Sequence, residues 1–283
     1  MTFGTKIIGM TSWLATPPGR YLLDWEQTQL DRVAFDIFGY HAVQLGWPAL
    51  QGLRTNRMPH RWLLADADES VLAHSLALPD PPVGMSATSL SVSVLAEFEA
   101  LPFPSASLDL VVLPHTLELA EDAHQTLREV ERVLRPEGRV IVLGFNPTSL
   151  WGARQRLGTL VQRVSGAHPF LPHQGELIGW RRLRDWLRLL GLQIEEAQFG
   201  CYRPAFNSGA WLERTAWLEP YGERWWPVLG ATYCMVAVKR VRGMRVVGPA
   251  WKKRLRRGHA VPVLSRQGRH DSSSSESQGT SHS

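Results

Sequence analysis

Residues Glu97 to Asn146 read EFEALPFPSASLDLVVLPHTLELAEDAHQTLREVERVLRPEGRVIVLGFN. Leu108 to Leu113 is a short apolar run rich in β-branched residues, which suits a buried strand. Ala123 to Leu134 has helical spacing. Leu127, Val130, Val133 and Leu134 share one face, while Arg128, Glu129, Glu131 and Arg132 lie elsewhere. Arg135-Pro136-Glu137-Gly138 is expected to stop that helix, because proline cannot continue it and glycine accepts a left-handed exit. Val140 to Phe145 then reads as a second buried strand. Two such strands joined by a helix make a right-handed βαβ unit of a parallel sheet.

Working outward, Thr16-Pro17-Pro18-Gly19 reads as a turn closing an N-terminal extension, residues 1–19. Tyr21 to Phe38 is expected to be an amphipathic helix. His41–Leu45, Trp62–Ala65 and Ser91–Leu95 read as strands one to three, and prolines 79, 81 and 82 forbid a long helix between the last two. Beyond Phe145, helices are expected around Trp151–Val164, Trp180–Leu190 and Gly209–Leu218. Strands are expected at Gln193–Tyr202 and Ala231–Val241. The resulting division is a domain over 20–241 and a basic, Ser-rich tail over 242–283, the tail being of a composition that cannot build a core.

The pieces Ala100-Leu101-Pro102-Phe103-Pro104, Leu108-Asp109-Leu110-Val111 and Leu127-Arg128-Glu129-Val130 through Gly138 resemble the type 11 methyltransferase domain of the class I S-adenosylmethionine-dependent enzymes. Gly144-Phe145-Asn146-Pro147 is similar to a segment of a small bacterial group of uncharacterised methyltransferase-like proteins. The resemblance implies an α/β, Rossmann-like fold: a mostly parallel seven-stranded sheet, helices on both faces and a closing antiparallel hairpin. It also implies S-adenosylmethionine as cofactor. The cofactor brings the reactivity, and the protein supplies binding and alignment.

A sheet of this kind binds ligands beyond the carboxyl ends of its strands. After strand one the resemblance implies an acid within the strand and a Gly-x-Gly loop; here Gln44 takes the acidic place, and only Gly46 remains, followed by Trp47 and Pro48. Gly46 reads as a cofactor contact or as a strand-end turn glycine. Asp66, after strand two, reads as the ribose ligand or as a solvated helix start. After strand three, the resemblance assigns Glu97 and Phe98 to the adenine, Phe98 reading equally as a core aromatic. His115, after strand four, would line the methionine end, act as the catalytic base, or be structural; Glu118 lies on the same loop. Asn146 follows strand five. His168 and His173 would sit in a lid. Six tryptophans, at 151, 180, 211, 217, 225 and 226, would roof an apolar acceptor or simply pack.

Composition narrows the classes. The 283 residues are 44% hydrophobic and 20% charged, enough for a sizeable core. No run of eighteen apolar residues appears, so no membrane span is expected. Cys201 and Cys234 lack metal-type spacing and read as buried, reduced residues of a cytoplasmic protein; no metal is expected. The +5 net charge divides unevenly: residues 239–283 carry 11 Lys+Arg and 2 Asp+Glu. That tail is a solvated extension, a weak nucleic-acid contact or, thirdly, a contact with an anionic membrane surface. Three functions stay open: a small-molecule methyltransferase, a non-catalytic binding or regulatory relative with a degenerate cofactor loop, and an RNA-associated methyltransferase.

Overall fold

The computed structural model describes residues 13–65, 92–165, 170–171 and 177–240. Seven strands form one sheet: β1 (His41–Leu45), β2 (His60–Ala65), β3 (Val92–Leu95), β4 (Leu108–Pro114), β5 (Leu134–Phe145), β6 (Leu192–Gly200) and β7 (Thr232–Lys239). Their spatial order is β3-β2-β1-β4-β5-β7-β6. The first five strands pair in parallel, and β7 runs antiparallel to both β5 and β6. The expected sheet and closing hairpin are therefore present.

The helices are α1 (Pro17–Phe35), α2 (Thr116–Leu119), α3 (Ala123–Val133), α4 (Leu150–Ser165), α5 (Trp180–Leu189), α6 (Gly209–Arg214) and α7 (Leu218–Trp225). Strand alternation divides the core. On one face Val43, Leu45, Val111 and Leu113 pack with Leu127, Val130 and Val133 of α3 and with Leu183 and Leu187 of α5. On the other, Ala42, Leu110, Val112 and Ile141 meet Leu22, Leu30, Val33 and Ala34 of α1.

Three local readings change. Thr16-Pro17-Pro18-Gly19 opens α1 rather than preceding it. Thr16 is the N-cap, and the prolines take first-turn positions whose N–H groups lack helical partners anyway. Arg135–Gly138 lies inside β5, as an excursion between the Leu108–Leu134 and Leu110–Arg139 pairs. Its left-handed residue is Glu137, at φ 65°, not Gly138. Gly138 serves close approach instead, since a Cβ there would meet the Arg135 carbonyl oxygen at 2.9 Å. The helix expected over Gly209–Leu218 is two helices, α6 and α7.

No helix stands between β1 and β2. Residues 46–59 cross in turns and lie on α1. Gln27 and Gln51 exchange two hydrogen bonds, and Asn56 donates to the Ala34 and Ile37 carbonyls at 2.7 and 2.9 Å. α1, which precedes β1 in the chain, thus covers the face beneath this crossing.

Candidate active site at the carboxyl rim

The parallel strands β1, β4 and β5, together with β6, end at one edge of the sheet. Three non-glycine residues there adopt positive φ: Trp47 (28°) past β1, His115 (55°) past β4 and Cys201 (63°) past β6. Such conformations cost about 1–2 kcal/mol each, and they persist only where the surroundings over-determine them.

The β1 loop is locked by one side chain. The Gln44 amide donates to the Gly46, Trp47 and Leu50 carbonyls at 3.4, 3.1 and 2.7 Å, and its oxygen accepts the Gly52 N–H at 2.8 Å. A carboxylate in this place has no N–H to offer the three carbonyls, so the replacement of the implied acid by glutamine suits a latch. Gly46, at φ 72°, donates to the Leu64 carbonyl at 2.7 Å. A Cβ on it would stand 3.2 Å from the tip of the Phe98 ring. The space its missing side chain leaves is therefore used by the protein's own Phe98, which is fully buried. Trp47 is 1% exposed and packs on the α1 side of the sheet, edge-on to the His115 ring at 4.9 Å between centroids.

His115 is wholly buried. Nε2 bonds Glu26 of α1 and Nδ1 bonds Glu118, both at 2.9 Å. Burial alone would lower its pKa; the two carboxylates outweigh this and raise it to about 10, so the ring is a doubly donating imidazolium at neutral pH. Glu26 also accepts from Thr232 Oγ1 at 2.7 Å, and Glu118 accepts the Phe145 N–H at 2.7 Å. The cluster thus ties α1, β4, β5 and β7 together beneath the rim. Neither imidazole nitrogen is free to take a proton from an acceptor or to contact a cofactor. Glu26 is not among the residues expected at the rim, yet it carries a signal in the sequence: it shares the buried face of α1 with Leu22, Leu30 and Val33, an acidic residue within an apolar stripe.

The other anticipated residues scatter. Glu97 is exposed just beyond β3. Asp66, His168 and His173 lie outside the described residues. Asn146 is buried and makes a turn: it donates to the Val228 and Gly230 carbonyls and accepts from Thr148. Trp151 joins Trp13 and Phe170 in an edge-to-face core cluster, whereas Trp211, Trp217, Trp225 and Trp226 are exposed. Both cysteines are free and buried. Among the described residues no group of three metal-ligating side chains occurs.

A cavity of about 650 Å³ opens between the start of α1 and the segment following β6. Tyr21, Arg203 and Glu219 line it. Tyr21 donates to Glu219, which also accepts the Cys201 N–H at 3.1 Å. The Arg203 guanidinium lies 4.4 Å over the Tyr21 ring, and its Nε is buried with no hydrogen-bond partner.

A model of the methyltransferase domain matches residues 55–142. Taken with the sheet order and the relatives that follow, this shows that the chain belongs to the class I methyltransferase family. Within it, the chain is 36% identical over 191 residues to the uncharacterized protein YafS of Escherichia coli, an alignment covering 68% of each. It is 39% identical over 89 residues to the ubiquinone/menaquinone biosynthesis C-methyltransferase UbiE of Hahella chejuensis, spanning 28% of this chain and 36% of that protein. In fold it is similar to a chain from the complex of the Haloferax volcanii methyltransferase activator Trm112 with its methyltransferase: TM-score 0.53 at 18% identity, covering 84% of this chain and 99% of the other.

Tested against S-adenosylmethionine, the described rim divides. The Glu97 side fits, because an exposed carboxylate past β3 can accept from an exocyclic amine. The β1 loop does not fit in the manner the family implies. Its glycine is covered by Phe98, its Gln44 amide is committed to backbone, and no helix N-terminus follows it to face an anionic group.

Proposed function

We propose that this protein is an S-adenosylmethionine-dependent methyltransferase that holds its cofactor from the β2–β3 side of the rim, with Glu97 at the adenine, and not through the β1 loop. The bound cofactor would supply an electrophilic methyl group. The chain's own part is to bind and orient. Phe98 walls the nucleoside space from below, and Asp66 stands in sequence where the ribose hydroxyls would be met. His115 acts as a positioning residue: its two carboxylates fix the ends of β4 and β5 against α1. The acceptor is a small molecule.

The observation that carries this reading is the exposed Glu97, two residues before a segment, Glu99–Phe103, that follows the family closely, while the β1 loop is saturated by internal bonds. The test is transfer of labelled methyl from S-adenosylmethionine into a fractionated small-molecule extract. Label appearing in a fraction with wild type, and falling with Glu97→Ala, supports the reading. Absence of label with every fraction, together with no cofactor binding, removes it.

The latched loop favours a second reading, a binding or regulatory protein on the methyltransferase fold, since fold alone does not carry activity. Ligand-induced stabilisation by cavity occupants without any response to S-adenosylmethionine would select it.

A further inference from the structure

The cavity beside α1 is walled by polar groups that the protein itself leaves unused. α1 contributes Arg20, Tyr21, Asp24 and Trp25, and the chain beyond β6 contributes Arg203, Leu212, Glu213 and Glu219. Arg203 is held there without a side-chain hydrogen bond. Its guanidinium lies over the Tyr21 ring, which the hydroxyl's bond to Glu219 fixes in place. Glu219 stands 3.8 Å from Arg203 Nε, near enough to balance charge and too far to accept a hydrogen bond. The Glu219 oxygens are spent instead on Tyr21 and on the Cys201 and Tyr202 N–H groups, at 3.1 and 3.3 Å. A guanidinium has five N–H donors, and none of those of Arg203 meets an acceptor among the described residues, the buried Nε included. Asp24 and Glu213 are exposed, and their carboxylates are likewise without a partner among the described residues.

We infer that this cavity binds a small zwitterion of the amino-acid type with an apolar side chain. The planar carboxylate of such a ligand suits the free N–H groups of Arg203, whose fork matches two oxygens at once. Its ammonium suits Asp24 and Glu213. The sign of the wall argues for both charges together: it carries two guanidiniums and three carboxylates, so a ligand bringing only negative charge, such as a phosphate ester, is disfavoured. Trp25 and Leu212 give the apolar part of the ligand a surface. Trp25 is fixed against the end of β6, where a Cβ on Gly200 would stand 2.0 Å from its ring. Leu212 is buried and anchors α6. The volume, about 650 Å³, lies within the range of small-molecule sites.

Glu97 is not among the residues that line the cavity. The inference therefore stands whether or not the chain transfers a methyl group, and its test reads binding alone. The full chain is titrated with L-phenylalanine, with 3-phenylpropionate, which lacks the ammonium, with phenethylamine, which lacks the carboxylate, and with inorganic phosphate. Saturable binding of L-phenylalanine at millimolar concentration or below is expected, with each truncated probe weaker by about tenfold. Arg203→Lys keeps the charge and loses the planar fork; it should weaken L-phenylalanine by about tenfold and leave phenethylamine unchanged. The paired Asp24→Asn and Glu213→Gln substitutions, both at exposed positions, serve as a second variant. They should weaken L-phenylalanine and phenethylamine but not 3-phenylpropionate. Absence of saturable L-phenylalanine binding, equal affinity for the three organic probes, tighter binding of phosphate, or unchanged L-phenylalanine affinity in both variants overturns the inference. So does displacement of L-phenylalanine by S-adenosylmethionine, which would give the cavity to the amino-acid end of the cofactor.

Discussion

The packing of α3 on β4 and β5 and the polar rim at the carboxyl ends of β1 and β4 belong to one sheet, yet they are held by different physics. The first is apolar: Leu127, Val130 and Val133 of α3 are completely buried against the strands, and the charged residues of α3 stay outside the core. The second is polar: a glutamine, an asparagine and a buried histidine between two glutamates bind loop carbonyls, helix ends and strand ends. Apolar packing tolerates drift in sequence if volume and pattern persist. A polar latch does not, because each buried group needs its partner. The family's likeness therefore survives plainly in the first region, while the second has been rebuilt around its own contacts.

The largest effect should come from the polar region. Replacing His115 with Ala strands two buried carboxylates and should cost about 3–5 kcal/mol in urea unfolding; a cost below about 1 kcal/mol would show that the cluster is not what ties α1 to the rim. Leu127→Ala, in the apolar region, should cost about 3 kcal/mol by lost transfer energy and a cavity. Gln44→Ala should follow at about 2 kcal/mol, since water entering the loop can satisfy some of the freed carbonyls. If its cost exceeds that of Leu127→Ala, the latch outweighs the core and the contrast sharpens.

The two regions should also part with pH. The His115 pKa is raised from 6.5 to about 10 in the fold, so the folded chain binds the proton more tightly than the unfolded one. That stabilisation is full below about pH 6.5 and is lost as pH climbs toward 10. Unfolding free energy should decline over that window, and His115→Gln should flatten the decline; an equal slope in the variant would place its origin elsewhere. The smallest effect expected is for Gly46→Ala: a positive φ and a neighbouring ring tip that can shift, about 1 kcal/mol. Its cofactor affinity should stay unchanged, because the loop is packed against Phe98.

Most of the sheet was legible because strand length, the spacing of Leu127 to Leu134 and the order of apolar runs are local signals. The rim was less so, for physical reasons visible in particular residues. Glu26 and His115 are 89 positions apart and meet only through the placement of α1. Gln44 looked like a lost acid, and its purpose appears only once turns bring three carbonyls to its amide. Thr16-Pro17-Pro18-Gly19 has the composition of a turn, and a helix start uses the same residues. His115 sits where topology expects a ligand contact, yet the carboxylates on either side of it decide its use.

The most direct test of the account is calorimetric titration of S-adenosylmethionine into the wild-type protein and the Glu97→Ala and Gly46→Ala variants. Binding in the micromolar range, about −8 kcal/mol, weakened at least about tenfold by Glu97→Ala and untouched by Gly46→Ala, is the predicted result. No heat at millimolar cofactor, or a loss caused by Gly46→Ala and not by Glu97→Ala, would contradict it.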